Sequence, residues 1–222
     1  MTLTEYFNSL PDIDNSYNKY AAYSLAFNNP YKIISGYEAF KYEHLDSFLK
    51  TFIIDQGKCI VMPNIFNKEV IGMVLRSIKD KQFRYYNECK IPYGAGVNNK
   101  SYYKPWIIVE SALDSDFLRN FYPFVISTNG VSVSSEYMEF IKGTCSLCYC
   151  AFDNDNAGNE AFHKLAMKHS DAGFRLKRLT PPLGLHGKPL KDFGEILNCL
   201  QNNQVDDFDY YISSIKCLLS NI

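Results

Sequence analysis

Three things are scarce in this 222-residue chain: long apolar runs, net charge and paired cysteines. No stretch approaches the roughly 18 consecutive apolar residues that a membrane-spanning helix needs. The opening Met1-Thr2-Leu3-Thr4-Glu5 has neither the basic nor the apolar region of a secretory signal. A formal net charge of −1 excludes a protein that coats nucleic acid by bulk charge, so any such contact has to come from a local patch. The seven cysteines are odd in number and spread over a long chain, which is not a disulfide framework. Cys145-Ser-Leu-Cys148 has zinc spacing and Cys150 lies beside it. Cys59, Cys89, Cys199 and Cys217 stand alone, however, so the second pair of a structural zinc site is missing. These absences predict a protein of a reducing cytoplasm, with no zinc and no membrane association, whose cysteines are small buried residues.

Aromatic residues are plentiful, at 15% with 17 Tyr and 16 Phe. They fit an aromatic-rich core, or exposed rings that stack on bases. Residues 1–57 read as helical. Leu3, Tyr6, Phe7 and Leu10 follow helical spacing, a second apolar cluster runs from Tyr17 to Phe27, and a third from Tyr37 to Phe52. Residues 58–109 read as strands, with Asn67-Lys68-Glu69 as a hairpin turn. Between residues 76 and 104 there are seven basic residues against two acidic ones, with Tyr85, Tyr86, Tyr93, Tyr102 and Tyr103 interleaved. That composition suits a groove tracking a single strand, and equally a solvated hairpin face.

From residue 105 the pattern alternates between strand and helix. Ile107–Glu110, Phe124–Ser127, Leu147–Phe152 and Phe174–Leu179 read as strands, with helices from Ser111, Ser134 and Asn159 between them. Such alternation predicts a parallel sheet with crossover helices. Ligands bind at the carboxyl ends of the strands in sheets of this kind. Glu110, Asn129, Gly130, Asp153 and Asp155 all fall at that end, with Asp114 four residues beyond Glu110. Several carboxylates brought together without cations nearby in sequence call for a metal ion. Taken alone, Asp153-x-Asp155 also reads as a helix-capping turn. Residues 205–220 predict a closing amphipathic helix with Phe208, Ile212, Ile215 and Leu219 inward. The expected domains are therefore 1–104, helical and β with a basic face; 105–200, the catalytic domain; and 201–222, a packing helix.

Glu110-x-x-x-Asp114, then Asn129-Gly130, then Phe152-Asp153-x-Asp155-x-Ala157-Gly158 resemble, in order, the signature of the Toprim domain. Within that superfamily the chain is most similar to the RNA polymerase core of bacterial and phage DnaG-type primases. Val70–Ser77, which carries Arg76, resembles one of their strands. Lys81-Gln82-Phe83-Arg84-Tyr85-Tyr86-Asn87 resembles their basic segment, and Lys191-Asp192-Phe193-Gly194-Glu195 their late acidic motif. The resemblance covers about residues 55–200. It departs from the pattern at Ser111, where a glycine is usual, and at Gly194, which takes the place of a second Asp. Segments resembling the zinc-binding and helicase-binding modules are missing.

The resemblance implies an α/β fold: a Toprim, Rossmann-like parallel sheet flanked by helices, preceded by an α+β basic subdomain. It implies a DNA-directed RNA polymerase that makes short primers on single-stranded DNA from ribonucleoside triphosphates. The expected setting is DNA replication, in a host cytoplasm if the protein is phage-encoded. Two or more Mg2+ or Mn2+ ions are implied on Glu110, Asp153 and Asp155. Asp192 is a further candidate ligand, and Asp114 either another or the residue that orients Glu110. Arg76, Lys81, Arg84, Tyr85, Asn129 and Gly130 are implied contacts to nucleic acid or nucleotide, and a separate helicase or zinc-module protein an implied partner. The same acids would serve a Toprim nuclease with Glu110 as general base, and a non-catalytic module would keep the fold and bind nucleic acid or a replication partner.

Overall fold

Contacts divide the chain into two units, Met1–Cys89 and Lys90–Ile222. The computed structural model describes all residues except 15–16, 81, 88–90, 97–103, 131, 172, 185–186 and 196–204. The boundary expected at residue 104 thus falls inside the second unit.

The first unit contains α1 (Leu3–Ser9), α2 (Asn18–Phe27), β1 (Lys32–Ser35), α3 (Gly36–Ala39), α4 (Ser47–Gln56), β2 (Lys58–Phe66), β3 (Glu69–Ser77) and β4 (Phe83–Asn87). The strands form an antiparallel sheet in the order β1-β2-β3-β4. The hairpin expected at residues 67–69 is present. Asn67 and Lys68 both take positive φ, 50° and 72°, so a tight turn matches the twist of the flanking strands. A Cβ on Gly72 would stand 2.6 Å from the Tyr86 carbonyl oxygen, so only glycine lets β4 approach β3 there.

β1 was not anticipated. It has four residues, two of them the buried Ile33 and Ile34, and no period long enough to read. The single apolar pattern over 37–52 resolves into two helices. Asp46 starts the second by accepting the Leu49 N–H at 2.8 Å. Tyr6, Phe7, Ile34, Leu45, Leu49, Ile53, Val61, Met73 and Leu75 lie together in the core between helices and sheet.

The second unit contains β5 (Trp106–Val109), α5 (Ala112–Arg119), β6 (Val125–Ser127), α6 (Ser135–Lys142), β7 (Leu147–Ala151), α7 (Asn156–His169), β8 (Arg175–Arg178) and α8 (Val205–Ser220). Its strands are all parallel, in the order β6-β5-β7-β8. β5 is buried along its whole length, which is why it reads as a continuous apolar run. The chain moves outward from β5 to β6, then returns to the other side of β5 for β7 and β8. The order therefore reverses between β5 and β7, where open α/β sheets leave a crevice for ligand.

In α8 the buried positions are Tyr211, Ile215 and Leu219. Tyr211 takes the inward place expected of Phe208 and Ile212, both only partly buried. Cys145, Cys148 and Cys150 are buried free thiols, and no helix among the described residues is long and apolar enough to cross a membrane.

Candidate metal and nucleotide site

Glu110, Asp153 and Asp155 are each delivered by the end of a strand. Glu110 follows β5 directly, and its Oε1 accepts the Asp153 N–H from the end of β7 at 3.0 Å. The loop after β6 clamps its backbone. Gly130 N–H donates to the Glu110 carbonyl at 2.9 Å, and Thr128 N–H to the Val109 carbonyl at 3.0 Å. Asn129 reaches this arrangement through a left-handed φ of 53°, held by Ser127 Oγ, which accepts its N–H at 3.0 Å. Burial, then the nearby Asp153, raises the Glu110 carboxyl above its ordinary value.

Asp153 and Asp155 sit in the turn from β7 into α7. Asp155 caps α7, with Oδ1 accepting the Gly158 N–H at 2.9 Å, a bond that lowers its carboxyl below the usual range. The capping reading of Asp-x-Asp therefore holds for Asp155, and its second oxygen remains outward. Arg178, from β8, donates to the Asp153 carbonyl at 2.7 Å and to that of Cys150 at 3.2 Å, bracing the turn from below.

A third segment, 190–195, closes over this turn. Asn154 N–H donates to the Lys191 carbonyl, and Asn154 Nδ2 to that of Leu190 at 3.3 Å. Lys191 Nζ stands 2.9 Å from Asp153 Oδ2 and 3.5 Å from Asp155 Oδ2. Gly194 N–H donates to Asp114 Oδ1 at 2.6 Å, and Ser111 Oγ–H to Asp114 Oδ2 at 2.6 Å. Asp114 is buried, and burial together with Asp192 pushes its carboxyl well up. Asp192 is raised for the same reasons, burial first and Asp153 second.

The donors at this edge are hard carboxylate oxygens with no sulfur or imidazole among them, which suits Mg2+ or Mn2+. Among the described residues no three His, Cys, Asp or Glu side chains are placed to share one ion. Instead, the Lys191 ammonium stands between the two aspartates and pairs with both.

The family comparison adds to this geometry. Residues 107–197 match the family model described as Toprim-like. This stretch is a Toprim-like domain. The whole chain aligns with a solved DnaG catalytic core over 99% of its length and 83% of that chain, with a TM-score of 0.50 and 14% identity, a likeness of fold. The primase fragment of the bacteriophage T7 primase-helicase protein aligns at TM-score 0.48 and 17% identity, over 87% of this chain and 69% of that one. The zinc-binding and RNA polymerase domains of the Aquifex aeolicus primase align at 0.49 and 14%, over 95% and 55%. No curated protein sequence matches the chain significantly.

The Toprim-like domain thus gathers Glu110, Asp114, Asn129, Gly130, Asp153, Asp155 and Asp192 at one sheet edge. Arg76, Arg84 and Tyr85 belong to the antiparallel sheet of the first unit, and Lys81 lies outside the described residues. The Arg84 guanidinium lies 4.9 Å from the centre of the Phe52 ring and 5.2 Å from that of Phe48, so stacking already fixes its plane. Tyr85 OH accepts from Asn64 Nδ2 at 2.8 Å.

Tyr93, one of the interleaved tyrosines, is not an exposed ring. It is wholly buried, and its hydroxyl donates to Asp116 Oδ2 at 2.7 Å, which leaves no face for a base. Tyr102 and Tyr103 lie outside the described residues. The sequence reading did not single out Arg178, Asn154 or the Lys191 side chain. The alternating basic pattern of β8 was visible, but not which of its cations turns toward β7.

Proposed function

We propose that the chain is a metal-dependent nucleotidyltransferase of the primase type, which makes short RNA on a single-stranded DNA template. The observation that carries this reading is the convergence of Glu110 with the Asp153–Asp155 turn at the switch point of a Toprim-like sheet. Glu110, Asp153 and Asp155 would hold two or more Mg2+ or Mn2+ ions, with Asp192 as a further ligand. Ions held there would supply Lewis-acid charge for an attacking 3′-hydroxyl and a departing pyrophosphate.

The chain's own residues set the geometry. Asp153 N–H fixes the Glu110 carboxylate, and Gly130 and Thr128 fix its backbone. Asp114, through Gly194, holds the loop that carries Asp192. Asn129 and Gly130 lie beside Glu110 and would meet the nucleotide. Arg76, Lys81, Arg84 and Tyr85 would contact template or nucleotide phosphates and bases. A helicase or a zinc-module protein is the proposed partner, and the setting would be DNA replication, phage-directed, in a host cytoplasm.

The test incubates the protein with Mg2+ or Mn2+, single-stranded DNA and labelled ribonucleoside triphosphates. Oligoribonucleotides that vanish with Asp153→Ala and Glu110→Gln, both variants still folded, are the expected result. Shortened DNA would instead assign the site to phosphodiester hydrolysis. Binding without turnover under any metal would assign it to a non-catalytic role.

A further inference from the structure

We propose that Lys191 is a built-in counter-ion: its ammonium holds the divalent-cation position between Asp153 and Asp155 and is displaced when an ion binds. The inference rests on the metal-site reading above. Its geometric basis is the pair of contacts from one nitrogen, 2.9 Å to Asp153 Oδ2 and 3.5 Å to Asp155 Oδ2. On Asp155 this is the oxygen left over, since the other is committed to capping α7.

The backbone and the side chain of Lys191 are held very differently. Its N–H donates to Glu195 Oε2 at 2.6 Å, and its carbonyl accepts from Asn154. Gly194, a little further on, is tied to Asp114. The loop is thus fastened on both sides of the residue. The side chain itself is 56% exposed, so it can withdraw into water without disturbing the loop.

Charge explains why such a group is needed. Glu110, Asp153, Asp155 and Asp192 approach one another at one sheet edge, and like charges at that spacing oppose folding unless a cation stands among them. Arg178 adds charge nearby, facing Glu110, Asp153 and Asp155, but its hydrogen bonds go to the carbonyls of Cys150 and Asp153, so it does not occupy the outer carboxylate oxygens. Lys191 supplies the charge when no ion is bound. An ammonium offers one charge and a divalent cation two, so the ion wins the oxygens, at a concentration that Lys191 raises.

The test titrates chelator-stripped wild type, Lys191→Met, Lys191→Gln, Lys191→Arg and Asp153→Asn with Mn2+, following melting temperature and calorimetric heat. In chelator, Lys191→Met and Lys191→Gln are expected to melt below wild type. Their Mn2+ midpoint should fall roughly 3- to 5-fold, the scale of a partly exposed ion pair. Lys191→Arg should keep the wild-type midpoint, and Asp153→Asn should abolish the response. An unchanged or higher midpoint in Lys191→Met and Lys191→Gln, with the Asp153→Asn loss intact, overturns the counter-ion role and leaves the metal site standing. No Mn2+ response in wild type or in either uncharged variant overturns both.

Discussion

Gly158 has no side chain because Asp153 fills the space one would need: a Cβ there would overlap the Asp153 carbonyl oxygen and stand 3.0 Å from both its carbonyl carbon and its amide nitrogen. Those are backbone atoms, also held by Glu110 and Arg178, so they have little freedom to retreat. Gly158→Ala is therefore expected to destabilise the protein by about 1–3 kcal/mol or more, although alanine is the better helix former. Chemical denaturation measures the loss. Wild-type stability in this variant would show that the turn adapts and that the Asp153 backbone is not fixed by Gly158.

Asp155 does two jobs, and substitutions separate them. One oxygen caps α7 through Gly158, and the other faces Lys191. Asn keeps a capping oxygen and loses the charge; Ala loses both. Asp155→Asn is expected to fold with near-wild-type stability in chelator while losing Mn2+ binding and synthesis. Asp155→Ala should cost about 1 kcal/mol more, the usual worth of an N-cap. Equal stability of the two variants would remove the cap from the account.

The parts of this site that were legible in the sequence share one property: they follow from strand ends. A fully buried parallel strand writes a continuous apolar run, and the residue that stops it lies at the carboxyl edge, so Glu110, Asp153 and Asp155 could be placed from the sequence alone. The hairpin at Asn67-Lys68 was legible for a similar reason, since tight turns demand residues that tolerate positive φ. What was not legible depends on which way a side chain turns. Nothing in Arg175-Leu-Lys-Arg178 says that Arg178 reaches the carbonyls of Cys150 in β7 and of Asp153 in the turn beyond it. Nothing around Tyr93 says that it pairs with Asp116 rather than facing solvent. In α8 a period of 3.6 allows Tyr211 and Phe208 almost equally, and packing chooses Tyr211. β1 is too short to carry a period at all.

The buried thiols and hydroxyls set a limit on the alkaline side. Burial pushes Cys59 and Cys150 up to about 12, and it also raises Cys148, Tyr6, Tyr122 and Tyr211. Each group holds its proton more tightly folded than unfolded. Below the unfolded values, about 9 for the thiols, neither state is ionised and no penalty arises; above them the unfolded chain gains by releasing protons and stability falls. Stability followed by denaturant midpoint should therefore decline as pH rises beyond about 9. Thiol labelling at pH 8 provides a second reading. Cys217 is exposed and should label fast, while Cys59, Cys145, Cys148 and Cys150 label only as fast as the protein opens. Rapid modification of Cys148 or Cys150 in the native protein, located by peptide mapping, would contradict their place in the core.

Gly194 stands where the primase pattern places a second Asp, and Asp114 gives the physical reason. A Cβ at 194 would lie 2.8 Å from Asp114 Oδ1 and 3.5 Å from Asp192 Oδ1, and the Gly194 N–H already donates to that same Asp114 oxygen. In this chain the buried Asp114 carboxylate occupies the space, so a carboxylate from position 194 cannot also enter. Gly194→Asp is expected to lose about 1–3 kcal/mol from crowding alone, with the burial of a further carboxyl beside Asp114 and Asp192 adding to it. Asp114→Ala should also destabilise, because it leaves the Gly194 N–H and Ser111 hydroxyl without their acceptor. The double variant Asp114→Ala/Gly194→Asp removes the crowding and returns a carboxylate to the same corner. It is expected to be more stable than the sum of the single losses predicts, by about 1 kcal/mol or more, the coupling that residues in direct contact show. Urea denaturation of the four proteins in chelator closes the cycle. Additive losses would mean that Asp114 and position 194 do not compete for one site, and that the missing second Asp needs another cause.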